Sequence, residues 1–190
     1  DVTANIQLLL NYLFASYPQK IIVLSYNHDR DCATVSELQD LPPNFVVLQY
    51  NTSRPTPSDL LLPFWNVSTN PPGEEIQPEY LAGFIGNDRT PLRRQLRDAV
   101  KDEPGFFWSD ERMPQDEYLK LMRKFRYCLC PRGGGLASYR QYEAIQCLRP
   151  PVIFADDTAL PFPEVKWNTF SIRASETYVD NIGVIISAMN

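Results

Sequence analysis

A chain of 190 residues that is 44% apolar and 22% charged has the make-up of an ordinary globular protein, long enough for one buried core or two small ones. Its net charge of −5 leaves no excess of Lys and Arg to neutralise a nucleic-acid backbone, so any anion site must be local. No apolar run reaches the roughly 18 residues of a membrane span, and the first residues carry no signal-peptide pattern.

Residues 5–17 place Ile6, Leu9, Leu10, Leu13, Phe14 and Tyr17 at helical spacing, which predicts an opening amphipathic helix that Pro18 ends. Residues 20–26 are a β-branched apolar run that predicts a central parallel strand, and its end carries Asn27, His28, Asp29, Arg30 and Asp31. Asp29 or His28 at a strand end is placed for acid–base work; a cap on the following helix is the other reading of Asp29. A short helix near residues 34–39 and a strand over 45–49 follow. Residues 51–78 contain Pro55, Pro57, Pro63, Pro71, Pro72 and Pro78 and predict a long irregular connection. Phe64 and Trp65 within it serve either as anchors to the core or as a stacking platform for a sugar.

Residues 81–85 predict the next strand, and Gly86, Asn87 and Asp88 turn the chain into a helix from Pro91. Arg94 and Arg97, one turn apart, can face one pocket or pair with Asp98 and Asp102 on the surface. A short strand over 106–108 and a helix over 114–124 lead to the strand 125–130, which stops at Pro131-Arg132-Gly133-Gly134-Gly135. Ser138 with Gln141 three residues on has the spacing of a capping box. The run 151–155 then ends on Asp156 and Asp157, so 125–155 reads as one βαβ unit, which binds ligands at the carboxyl ends of its strands. Leu160, Pro161, Phe162 and Trp167 are expected beneath that site. A last strand over 170–173 and a helix capped by Ser175, with Tyr178, Ile182, Ile185 and Ile186 on its apolar side, close the chain.

The turn at 131–138 has the chemistry of a phosphate site. The N–H groups and partial positive charge of a helix start favour an anion by roughly 0.3–1 kcal/mol. Gly133, Gly134 and Gly135 let the backbone come close, Arg132 and Arg140 offer planar forks for phosphate, and Glu143, one turn beyond Arg140, suits a ribose diol. The bland reading is a tight turn followed by a surface Arg140–Glu143 pair. A nicotinamide site fits less well, because PRGGGLAS is not G-x-G-x-x-G. Cys128 and Cys130, two apart in a strand, share one face as core thiols rather than metal ligands, and the single His argues against zinc. The four cysteines and the sequons at Asn51 and Asn66 leave the compartment open between secretory and cytoplasmic.

The string CLCPRGGGLASYRQYEAIQCLRPPVIFADDTALPF resembles the signature of the exostosin-like glycosyltransferases: a strand, Pro-Arg-Gly, a Ser-x-Arg-x-x-Glu-Ala helix, Pro-Val-Ile and Leu-Pro-Phe, in that order. Upstream, FIGNDRTPLRR, SDLLLP and IVLSYNHD resemble further segments of that family, so the likeness covers most of the chain. The resemblance implies an α/β fold of Rossmann-like units in the two-domain GT-B architecture, with residues 1–80 as a reduced or truncated acceptor-side region and 81–190 as the nucleotide-sugar domain. It implies inverting, metal-independent transfer from a nucleotide diphosphate sugar, in the first place a UDP-sugar, to an oligosaccharide or glycoprotein acceptor, with no cofactor and in the Golgi lumen. On that resemblance Arg132 and Arg140 neutralise the diphosphate, Arg94 is a further clamp, Glu143 holds the ribose, and Asp29 with His28 supplies the base. Asn87, Gly133, Gly134, Ser138 and Tyr139 complete the donor pocket. A degenerate, non-catalytic domain that binds a nucleotide or a partner transferase is the rival.

Overall fold

The computed structural model describes residues 10–13, 15–26, 41–49, 53, 59–61 and 76–188. The chain divides into two compact units, Asp1–Pro63 with Asp157–Glu164, and Phe64–Asp156 with Val165–Asn190.

In the first unit β1 (Ile22–Tyr26), β2 (Phe45–Gln49) and β3 (Asp59–Leu61) form a parallel sheet in the order β1-β2-β3. The centre among the described strands is therefore β2 and not the 20–26 strand expected there. Phe45, Val47 and Gln49 of β2 are buried while Val46 and Leu48 between them are only partly so, the alternation of a strand with a preferred face. The 51–78 stretch is not wholly irregular, since β3 pairs with β2 from Val47 opposite Asp59 to Gln49 opposite Leu61. Residues 10–13 and 15–16 are helical; Leu10 is buried, whereas Tyr17, expected on the same stripe, is exposed beyond the helix. His28, Asp29, the 34–39 helix, Cys32, the sequon asparagines Asn51 and Asn66, Phe64 and Trp65 lie outside the described residues.

The second unit is a five-stranded, all-parallel sheet of β4 (Tyr80–Ile85), β5 (Phe106–Ser109), β6 (Phe125–Pro131), β7 (Pro151–Phe154) and β8 (Ile172–Ala174), in the order β5-β4-β6-β7-β8. Helices α1 (Pro91–Val100), α2 (Gln115–Met122) and α3 (Tyr139–Gln146) connect the strands, and a 3-10 turn, Glu176–Asn181, leads into α4 (Ile182–Ala188). Alternate strand residues feed two apolar layers. Phe84, Leu129, Val152 and Phe154 pack with Leu92, Leu96 and Val100 of α1 and with Val179, Ile182 and Ile186. Ile85, Phe125, Cys128 and Cys130 pack on the other face with Met122, Ala144 and Cys147. Burying a Phe or Leu of this kind stabilises by roughly 1.5–3 kcal/mol, and the sheet carries such residues on both faces, as a parallel sheet requires.

Two local details tighten this core. Gly83 of β4 lies against the Phe125 ring so closely that any side chain would enter it. Cys128, Cys130 and Cys147 are buried free thiols. The closing segment departs from its expected stripe: Tyr178 is exposed and Val179 is buried in its place, because the first six residues wind as a 3-10 helix with three residues per turn.

Candidate active site

The sheet order reverses at β4. The chain leaves β4 outward to β5 and then passes back beyond β4 to β6, so α1 and α3 lie on opposite faces and the topological switch point, the crevice where sheets of this kind hold ligands, falls at the carboxyl ends of β4 and β6. The turn 86–90 lines one side and the turn 131–138 the other.

Both helices that begin there are capped by a hydroxyl. Thr90 accepts a hydrogen bond from Arg93 N at 3.4 Å, and Ser138, itself buried, accepts one from Arg140 N at 3.4 Å. Neither α1 nor α3 has an acidic residue in its first turn, and each places an arginine there. The macrodipole disfavours cations at that end, and α2 follows the ordinary preference with Asp116 and Glu117. Among the described α-helices only the two flanking the crevice place an arginine in the first turn, where an incoming anion would offset the charge.

Arg140 is the centre of the site. Its Cζ lies 4.2 Å from the centroid of the Phe84 ring, and its Nε and Nη1 are buried without a hydrogen-bond partner. Gly86 makes room for it: the glycine has φ +144°, and a Cβ there would collide with Arg140 Nη2. An unpaired buried donor costs about 1–3 kcal/mol, more when charged, so this guanidinium is a cation placed for a partner of opposite sign.

Arg93, only 8% exposed, is the residue that spacing arguments did not single out. Its Nη1 donates to Asn87 O at 2.9 Å and to Asn87 Oδ1 at 3.3 Å, its Nε to Arg132 O at 3.2 Å and its Nη2 to Pro131 O at 3.5 Å. Its Cζ is 5.5 Å from the same Phe84 ring. Burial first, and then the charge of Arg140, bring its pKa down from 12.5 to about 10. Arg94 and Arg97, expected to face one pocket, do not. Arg94 is exposed, with Nη1 on Asp88 O at 3.4 Å and Arg89 O at 2.9 Å, while Arg97 pairs with Asp88 and, at 3.3 Å, with Asp98.

The other expected donor residues are near but engaged. Arg132 Nε and Nη2 grip Glu176 Oε1 at 2.6 Å and Oε2 at 3.0 Å. Asp156 supports Glu176 from below, its Oδ1 accepting from Glu176 N at 3.0 Å and its Oδ2 from Ser175 Oγ at 3.1 Å. Glu143 Oε2 accepts from Tyr118 OH, and the Tyr118 phenol is pushed well above its ordinary 10.0, by burial foremost and with a contribution from Glu143. Asn87 is exposed and serves Arg93; a Cβ on Gly133 would come within 3.3 Å of Arg93 Nη2; Gly134 and Tyr139 are exposed. Trp167 meets the Tyr142 ring edge-on with centroids 6.3 Å apart, whereas Leu160, Pro161 and Phe162 belong to the first compact unit. Among the described residues no group of three His, Cys, Asp or Glu side chains could hold a metal, and no helix is long and apolar enough to cross a membrane.

A model of the exostosin GT47 domain matches residues 23–189. The chain is similar to the probable glycosyltransferase At3g07620 of Arabidopsis thaliana, at 35% identity over 104 residues, 54% of this chain and 22% of that protein. It is 33% identical over 98 residues to the probable glucuronosyltransferase Os04g0398600 of Oryza sativa subsp. japonica, covering 51% of this chain and 23% of that protein. Exostosin-1b of Danio rerio matches at 38% over 61 residues, 32% of this chain and 8% of that protein. The chain thus spans less than a quarter of the length of these relatives.

Proposed function

The chain belongs to the exostosin GT47 domain family, and from that premise we propose that it takes part in inverting transfer of a sugar from a nucleoside diphosphate sugar, in the first place a UDP-sugar, to a hydroxyl of a glycan acceptor. The observation that carries this reading is the buried, partnerless edge of Arg140 at the crevice between β4 and β6. In such a transfer the acceptor oxygen attacks the anomeric carbon from the face opposite the diphosphate. The bond from that carbon to the diphosphate oxygen breaks, its electron pair leaves with the diphosphate, and the hydroxyl proton passes to a base, the role given to Asp29 with His28 beside it. Two guanidinium groups at the crevice take the place a metal ion would otherwise fill, since preorganised charge is the largest lever on a departing diphosphate.

In this reading Arg140 meets the diphosphate, the backbone N–H groups of Ser138, Gly133 and Gly134 receive its outer oxygens, and Glu143 takes the ribose hydroxyls. Arg132 joins after exchanging Glu176 for phosphate, and Asn87 and Tyr139 border the pocket. Residues 81–190 carry the donor and residues 1–80 face the acceptor, as two Rossmann-like parts of a GT-B arrangement.

Calorimetric titration with UDP, GDP and a panel of UDP-sugars, with and without manganese, tests it. UDP or one UDP-sugar is expected to bind equally in both conditions, and Arg140→Ala to lose that binding and all transfer while keeping its fold. Near-normal turnover in Arg140→Ala overturns the assignment. Binding without transfer to any glycan acceptor returns the chain to a nucleotide-binding module.

A further inference from the structure

We propose that Arg93 is the positioning residue of the donor pocket: its guanidinium ties the turn after β4 to the turn after β6 and so fixes the distance at which Arg140 and the start of α3 meet a nucleoside diphosphate. The inference rests on the donor reading above.

Its basis is the set of acceptors. Every hydrogen bond of the Arg93 side chain goes to a neutral oxygen, two on Asn87 from one side of the crevice and the carbonyls of Pro131 and Arg132 from the other. The two turns have no other strand or helix pairing between them past Cys128, since the β4–β6 register runs from Tyr80 opposite Phe125 to Gly83 opposite Cys128. Beyond that point no ladder pairs β4 with β6, and the planar fork of one arginine joins the two turns that follow them. A carboxamide could reach fewer of these oxygens, and an ammonium would offer its donors from one point rather than along an edge.

The placement is costly for a purely structural tie. A buried guanidinium without a carboxylate partner, close enough to a second guanidinium to feel its charge, is the arrangement a fold avoids unless an anion joins it. Both groups lie over the one Phe84 ring, 5.5 and 4.2 Å from its centroid, so a shift of Arg93 is passed to Arg140 through a shared support. Gly133 belongs to the same device: it leaves Arg93 Nη2 space beside the turn that leads to the α3 N-terminus.

The test compares UDP and uridine binding to the protein and to Arg93→Lys, with the fold followed by circular dichroism. The variant keeps a positive charge but cannot bridge the two turns, so UDP affinity is expected to fall about tenfold or more while uridine affinity stays the same. Unchanged UDP affinity, or equal losses for UDP and uridine, overturns the positioning role and leaves the donor reading standing; no UDP binding by the unaltered protein overturns both. If Arg93→Lys does not fold, Asn87→Ala removes an exposed acceptor of the same guanidinium. It is expected to weaken UDP but not uridine by about threefold, and wild-type affinity for UDP in that variant overturns the inference.

Discussion

Arg132 and Glu176 hold each other by two parallel hydrogen bonds, Nε to Oε1 at 2.6 Å and Nη2 to Oε2 at 3.0 Å, with Asp156 fastening the backbone of Glu176 from the end of β7. A carboxylate so placed occupies the fork with which an arginine grips phosphate. On the proposed reading, donor binding and the ion pair therefore compete for one guanidinium.

Glu176→Gln should accordingly raise UDP affinity, by about two- to fivefold, since a pair whose side chains are 35% and 21% exposed is worth about 1 kcal/mol or less. The stability lost should be no larger. Titration and a thermal melt of the same preparation check both figures; a drop in UDP affinity would mean that Glu176 aims Arg132 rather than competing for it.

Gly86→Ala should be costly on two counts. The backbone there, at φ +144°, suits glycine alone, and the added methyl would meet Arg140 Nη2. Stability should fall by more than about 1 kcal/mol and UDP binding should be lost in the fraction that stays folded. A folded variant with wild-type affinity would show that Arg140 is not held where its function is placed.

Tyr118→Phe removes the hydroxyl that holds Glu143 and little else. The loss of a buried, charge-assisted hydrogen bond predicts about 1.5–3 kcal/mol of destabilisation. If Glu143 receives the ribose, the preference for UDP over 2′-deoxy-UDP should also shrink in this variant, because a loose carboxylate discriminates less. An unaltered preference would place the ribose elsewhere.

The thiols predict an alkaline limit. Burial pushes Cys130 from 9.0 to about 12 and Cys147 to about 11, and Cys128 rises well above 9.0 for the same cause. A folded-state pKa raised above its unfolded value gives stability that is complete below the unfolded pKa and is lost as pH climbs through the folded one. Arg93 acts in the opposite sense from pH 10 upward, because its folded pKa is the lower of the two. With three thiols against one guanidinium, the denaturant midpoint should decline steadily between about pH 9 and 11. Thiol labelling at pH 8 should be slow in the folded protein at all three positions. A midpoint that holds flat to pH 11 would contradict the burial of these groups.

The central βαβ unit was legible because its signals are local. An apolar run, three glycines, a hydroxyl cap and a second apolar run map directly onto β6, the 131–138 turn, α3 and β7. Arg140 was found for the same reason. Spacing of i,i+3 favours Arg94 and Arg97 over Arg93 because it points to a pocket beside the helix, whereas this pocket lies beyond the helix end. The sequence did contain the signal: at about 100° per residue, Leu92, Leu96 and Val100 set the inner face of α1, Arg93 lies at its margin and Arg94 nearly opposite. Side chains at a helix start also lean back over the preceding turn, which brings the third helical residue to the strand ends. Tyr178 and Val179 exchanged places because apolar residues alone do not reveal whether a turn winds with 3.0 or 3.6 residues. The grip of Glu176 on Arg132, 44 positions away, has no local signature at all.

The two arginines that open α1 and α3 also bear on how the molecule survives as well as on what it binds. Their mutual repulsion opposes folding, and if the pocket holds a nucleoside diphosphate as proposed, that ligand at a hundred times its dissociation constant would add about 2.7 kcal/mol to the native state. On that reading the persistence of this protein in a cell would be metered by its nucleotide supply.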